Sequence, residues 1–191
     1  MLSTLRNPTF RHLFASQLVA LLGTGLATVA LGLLAWQLAG DNAGAVLGTA
    51  LAIKMVAYVL LAPVAAAIAE RLPRRAFLVV LDLIRAGVIA CLPFVDQVWH
   101  VYVLIFALQA ASAGFTPAFQ AVIPDVLKDE EEYTNALSLL RLAEDLEQLA
   151  SPILAALLLT VVSFPVLFAG TVAGFVASAL LVVTARLPER A

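Results

Sequence analysis

Charge is scarce in this 191-residue chain: Asp, Glu, Lys and Arg make up 13% of it, against about 25% in ordinary soluble domains. A basic excess is missing as well. The formal net charge is -2, which excludes the basic stripe that a nucleic-acid partner requires. Cysteine is reduced to Cys91, so neither a disulfide framework nor a cysteine metal site can form. His12 and His100 fall at opposite ends of apolar stretches and cannot share a metal. No glycine-rich phosphate loop occurs, so ATP does not drive the chain directly, and no nucleophile–base arrangement marks an enzyme. No cofactor is implied. Met1 to Arg11 lacks the apolar core of a cleavable signal peptide and reads as a short cytoplasmic lead-in.

What is abundant is apolar surface. Hydrophobic residues reach 63%, more than a soluble fold of this length can hide, so lipid must solvate much of it. A bilayer core about 30 Å thick needs roughly 20 apolar residues per helix. Six stretches qualify: His12 to Ala39, Ala45 to Ala69, Ala76 to Val95, Trp99 to Pro124, Asn135 to Val162 and Pro165 to Ala185. Their separators carry turn chemistry, as in Gly40-Asp41-Asn42, Asp96-Gln97 and Ser163-Phe164-Pro165. The runs are too long for barrel strands, so the expected fold is an all-α membrane protein with six transmembrane helices in a single domain, residues 1–191. Arg6, Arg11, Arg71, Arg74, Arg75, Lys128, Arg186 and Arg190 all fall on one side of this scheme, and the loops of the other side hold no Lys or Arg. The positive-inside rule therefore places both termini in the cytoplasm, with the chain in the cell inner (plasma) membrane.

Within the fifth stretch lie Arg141, Glu144, Asp145, Glu147 and Gln148. Arg141 reaches Glu144 and Asp145 at spacings of three and four, which gives one face an ion pair. Counted from Asn135 at about 1.5 Å per residue, Glu144 lies roughly 14 Å deep and Glu147 roughly 18 Å. A charge there costs about 2.5–3.5 kcal/mol and normally faces water or a partner. Three acids against one arginine leave a negative excess suited to taking up protons or holding a cationic substrate. The other reading sets these residues in a cytoplasmic amphipathic turn. Lys54, deep in the second stretch, either pairs with an acid of the fifth, contacts substrate, or snorkels along its stem. Trp36 and Gln37 could meet a ligand, although an interfacial aromatic belt explains Trp36 equally well. Asp129 to Glu132 reads as a solvated loop that caps the helix after it.

The loop after the second stretch carries Ala66-Ala67-Ile68-Ala69-Glu70-Arg71-Leu72-Pro73-Arg74-Arg75. This run resembles the signature loop of the major facilitator superfamily, with Ala66 and Pro73 at its glycines and Glu70 at its aspartate. Asn7 to Arg11, Ser16-Gln17, Gly23, Asp82-Leu83-Ile84-Arg85, Pro117 to Asp125 and Asn135-Ala136-Leu137 are similar to the drug-efflux branch that includes macrolide exporters. The resemblance runs from about Asn7 to Ala185. It departs from the branch in two places: the fourth stretch has Gln109, Ser112 and Thr116 but no arginine, and Ser151-Pro152 with Ala155-Ala156 replace a glycine-rich motif. Both depart from the branch's usual route of proton antiport.

The resemblance implies two inverted three-helix repeats, approximately 12–95 and 99–185, forming one half of a twelve-span fold. It implies alternating-access export of small amphiphilic or cationic compounds. Spans one and four would line the path, with Gln17, Thr24, Thr28, Gln109, Ser112 and Thr116 as contacts, although interhelical hydrogen bonding is the commoner use for such residues. Glu70, Arg71, Arg74 and Arg75 would form a conformational latch, joined by Asp82 and Arg85. Because an even span count puts both ends on one face, two copies can pair as a parallel homodimer in place of the two halves. A truncated half, or a membrane scaffold without transport, are the alternatives.

Overall fold

A computed structural model describes residues 4–69 and 72–185. Among these residues the architecture is helical, with six long α-helices: α1 (Pro8–Ala39), α2 (Ala43–Ala69), α3 (Arg74–Cys91), α4 (Val98–Val126), α5 (Glu130–Leu159) and α6 (Phe164–Thr184). Their ends follow from local chemistry. Asn7 caps α1 by accepting from the backbone N–H groups of Thr9 and Phe10, with Pro8 at the first helical position, where no donor is needed. Gly40, at φ +52°, reverses the chain where α1 ends. Asp129 caps α5 by accepting from Glu131 and Glu132, and the three first-turn glutamates complement the helix dipole. Asp129 thus caps the helix as expected, but Glu130 to Glu132 form its first turn and not a loop, because the cap and the dipole favour acids there, and α5 starts five residues ahead of the apolar stretch. Ser163 precedes α6, whose second residue is Pro165.

Among the described residues, four stretches are long and apolar enough to cross a membrane: Pro8–Ala65, which contains α1 and most of α2, Arg74–Phe94, Val98–Val126 and Phe164–Thr184. Their lengths and apolar surfaces make this an integral membrane protein. α5 stands apart because charges occupy its centre.

Packing pairs α1 with α6 and α5, α4 with α2 and α3, and α3 with α6. Small residues permit the closest approach. At the α1–α6 crossing, a Cβ on Gly174 would lie 3.0 Å from the Val19 carbonyl oxygen, and one on Gly23 would lie 3.2 Å from that of Thr171. The Thr171 hydroxyl donates to the Gly23 carbonyl at 2.7 Å, a bond between backbone and side chain across two helices. Two apolar clusters fill the bundle. One gathers Phe10, Leu13, Leu78, Phe115 and Phe119. The other gathers Leu34, Ile89, Ile105, Phe168 and Phe175.

Candidate functional site

α5 has 30 residues, about 45 Å at the usual rise, which exceeds a bilayer core of about 30 Å. Arg141 to Gln148 occupy its middle. Arg141 Nη1 lies 3.3 Å from Glu144 Oε2 and its Nε lies 3.7 Å from Asp145 Oδ1, so the ion pair expected from spacing is present. Arg141 and Asp145 are exposed at this level, as are Gln148 and the neighbouring Leu142, Leu146 and Leu149. Glu147 differs. The inward stripe of α5 runs Ala136, Leu140, Ala143, Ser151, Ala155, and half-buried Glu147 stands in line with it at helical spacing. Its Oε1 accepts from the Ser151 hydroxyl at 2.7 Å. Both groups fill the space over Gly25 of α1, where an added Cβ would fall 1.8 Å from Ser151 Oγ and 2.3 Å from Glu147 Oε1.

The uncharged candidates are dispersed. Thr24 and Thr28 are exposed on α1 and donate to the carbonyls of Ala20 and Thr24 in their own helix. Gln17 is half-buried, whereas Trp36 and Gln37 are exposed near the end of α1. Gln109, Ser112 and Thr116 are half-buried on α4, with Thr116 turned back to the Ser112 carbonyl. Lys54 is half-buried on α2 and forms no ion pair among the described residues, so of its three readings the pairing with an acid of α5 is not made. The physical reason is the packing: α2 lies against α4 and α5 against α1. Tyr58, four residues beyond Lys54, meets Thr116 and comes within electrostatic range of both Arg85 and Glu144. Sequence reasoning passed over it; the i,i+4 spacing from Lys54 was the available signal.

At the end of the bundle that holds Asn7 and Val126, Arg74 pairs with Asp125 and donates to the Ala121 carbonyl at 2.7 Å. Arg75 donates to the Ala185 carbonyl at 2.6 Å, and Asn7 Nδ2 donates to Val126 at 3.3 Å. The start of α3 is thereby tied to the ends of α4 and α6, where helix carbonyls lack partners and positive charge is favoured. Glu70 and Arg71 of the expected latch lie outside the described residues, as do Arg186 and Arg190.

Asp82 and Arg85 do not join Arg74 and Arg75. They sit eight and eleven residues further along α3, about 12 and 16 Å deeper, on its inward face. Asp82 is fully buried and pairs with Arg85, and its Oδ2 accepts from the Ser178 hydroxyl of α6 at 2.8 Å. Arg85 lies between two rings, 3.9 Å from the Phe115 centroid and 4.6 Å from that of Phe175, while its Nε has no hydrogen-bond partner. Spacing of three puts the pair on one face, and that face meets α4 and α6. It does not face the loop. Among the described residues no His, Cys, Asp and Glu side chains group to hold a metal ion.

Apolar helices with a buried ion pair at their centre and arginines tying their ends define a polytopic helical membrane protein. The chain belongs to the Major Facilitator Superfamily, whose family model matches residues 13–191. It is similar to macrolide efflux protein A of Streptococcus pyogenes, 26% identical over 185 residues, which cover 94% of this chain and 45% of that protein. It is also similar to macrolide efflux protein A of Enterococcus faecalis, 28% identical over 137 residues, covering 69% of this chain and 42% of that protein. The chain thus spans about half the length of the curated relatives it matches. No solved structure matches it.

Proposed function

We propose that the chain is half of a secondary transporter, two copies of which pair side by side and export small amphiphilic or cationic compounds, macrolides included, by alternating access. Family membership and the efflux proteins it resembles support a membrane transport role over an enzymatic one. The observation that carries the reading is the centre of α5. Arg141, Asp145 and Gln148 are exposed midway along α5, and in a spanning helix they require a wet cavity or a second subunit against them.

The packing supports a six-span unit of two inverted repeats, α1–α3 and α4–α6. Exchanging α1 with α4, α2 with α5 and α3 with α6 turns the α1–α5 contact into α4–α2 and the α1–α6 contact into α4–α3, and it leaves α3–α6 unchanged. Pairing across α5 would set two acidic centres around one path, with Thr24, Gln109, Ser112 and Lys54 as further contacts and both termini in the cytoplasm.

Two measurements on the chain in lipid vesicles test this. A radiolabelled macrolide should accumulate under a pH gradient and not in its absence. A Leu149→Cys variant in a Cys91→Ser background, labelled at an apolar position of α5 that is 71% exposed, should cross-link to a dimer. Accumulation equal to that of empty vesicles overturns transport. Transport by a chain that remains monomeric overturns pairing.

A further inference from the structure

α2 is apolar along nearly its whole length. Its 27 residues hold three polar side chains, Thr49, Lys54 and Tyr58. Thr49 is exposed and donates to the Ala45 carbonyl of its own helix. Lys54 and Tyr58 stand one turn apart on a single half-buried edge. Lys54 follows Ala43 by eleven residues, about 17 Å along the helix, beyond what a lysine stem snorkelling to that end can reach. The elements packed against α2 bring no acid to its level. α1 has none, Asp41 stands in the turn before α2, and α4 carries only Asp125, near its far end and paired with Arg74.

α2 and α4 run in the same direction, since Ala43 and Val46 cluster with Val98 and Tyr102 at their starts. Tyr58 meets Thr116 of α4. One turn nearer those starts, Lys54 therefore stands at the level of Ser112, and Gln109 continues the same edge of α4 at helical spacing. Ser112 and Gln109 are half-buried, and neither side chain makes a hydrogen bond among the described residues. α5 lies across from this edge, with Glu144 within electrostatic range of Tyr58. An ammonium, a phenol, a hydroxyl and an amide thus line one wall, opposite a helix whose central charges sum to a negative excess.

A cation held away from water in an apolar helix is normally matched by an opposite charge. Nothing in the described chain matches Lys54, and the donors around it suit an anion, whose oxygens accept several hydrogen bonds at once. We infer that Lys54, with Tyr58 and Ser112 beside it, recognises the acidic group of an amphiphilic substrate, so that the path prefers molecules that join an acid to an amine. The inference rests on the transport reading and narrows its substrate class.

The test uses two fluorescent amphiphiles that differ only in a carboxylate. Nε-dansyl-lysine carries an amine and a carboxylate on the carbon where dansylcadaverine carries the amine alone. Binding of each to the whole chain in lipid vesicles is followed by the blue shift of dansyl emission, with empty vesicles of the same composition subtracted. Nε-dansyl-lysine should bind roughly tenfold tighter, as hydrogen bonds to a charged group imply. Lys54→Met should abolish this preference, Lys54→Arg should retain it, and Tyr58→Phe should reduce it; a merely structural lysine would move both affinities alike. Equal affinities in the wild-type chain, no binding of Nε-dansyl-lysine, or a preference that survives Lys54→Met overturns the inference. Should Lys54→Met fail to fold, Lys54→Gln decides in its place. A lipid phosphate offers the same chemistry as a substrate acid. Adding phosphatidylglycerol to the vesicles should leave the preference intact, and its loss would assign Lys54 to a lipid headgroup and overturn the substrate reading. A chain that discriminates between the probes yet moves no macrolide overturns transport and keeps this inference; macrolide export by a chain that binds both probes alike does the reverse.

Discussion

Arg85 shows how a single side chain can be held deep in an apolar bundle. Its charge is met by Asp82, and its faces lie against Phe115 and Phe175, an arrangement that contributes about 2 kcal/mol when desolvated. Asp82 in turn accepts from Ser178, so the three side chains join α3 to α6, with a ring from each apolar cluster packed against the guanidinium. Buried pairs add little when compared with apolar residues of the same shape, yet breaking one strands a charge. Asp82→Ala should therefore destabilise the folded chain by about 3–5 kcal/mol. The double variant Asp82→Leu with Arg85→Met should recover most of that loss. Unfolding in mixed detergent micelles measures both, and a double variant as unstable as the single one would refute the argument.

Between elements, the α1–α6 crossing depends on backbone approach, since lipid tails remove the hydrophobic drive that brings helices together in water. Gly174→Ala should weaken the fold because the new methyl meets the Val19 carbonyl, which cannot step aside as a side chain would. Thr171→Val should cost about 0.6–1.7 kcal/mol by losing its bond to Gly23, whereas Gly32→Ala should be neutral. Equal stability of all three variants would show that the crossing is held by something else. The helices themselves were legible, because Asn7, Asp129, Gly40 and the apolar runs act within a few residues of one another. Legible too was the Arg141 ion pair, a matter of helical spacing. Ser178 as the partner of Asp82, 96 residues away, was not, nor was Gly25 as the seat of Glu147. Such contacts depend on which helices become neighbours, and no local pattern in the chain records that.

At the scale of the whole molecule the open question is α5. Arg74, Arg75, Asn7 and Asp125 meet at one end of the bundle, the end where the positive-inside rule puts the cytoplasm. α4 ends there, so the proposed orientation sets the Lys128 loop in the cytoplasm, and α5 either crosses back or lies along the surface. Its inward stripe packs against α1 from Ala136 to Ala155, and a surface helix could not follow a spanning one for that distance, about 28 Å. If α5 spans as proposed, its charged centre sits at membrane depth, which is tolerated only beside water or a partner. In the proposed six-span orientation, Ser163, between α5 and α6, lies on the external side. In a Cys91→Ser background, Lys128→Cys should react with a membrane-impermeant maleimide only after the cells are opened, and Ser163→Cys should react from outside intact cells. Reaction of Ser163→Cys only after opening would mean that α5 does not span, and its acids would then face the cytoplasm.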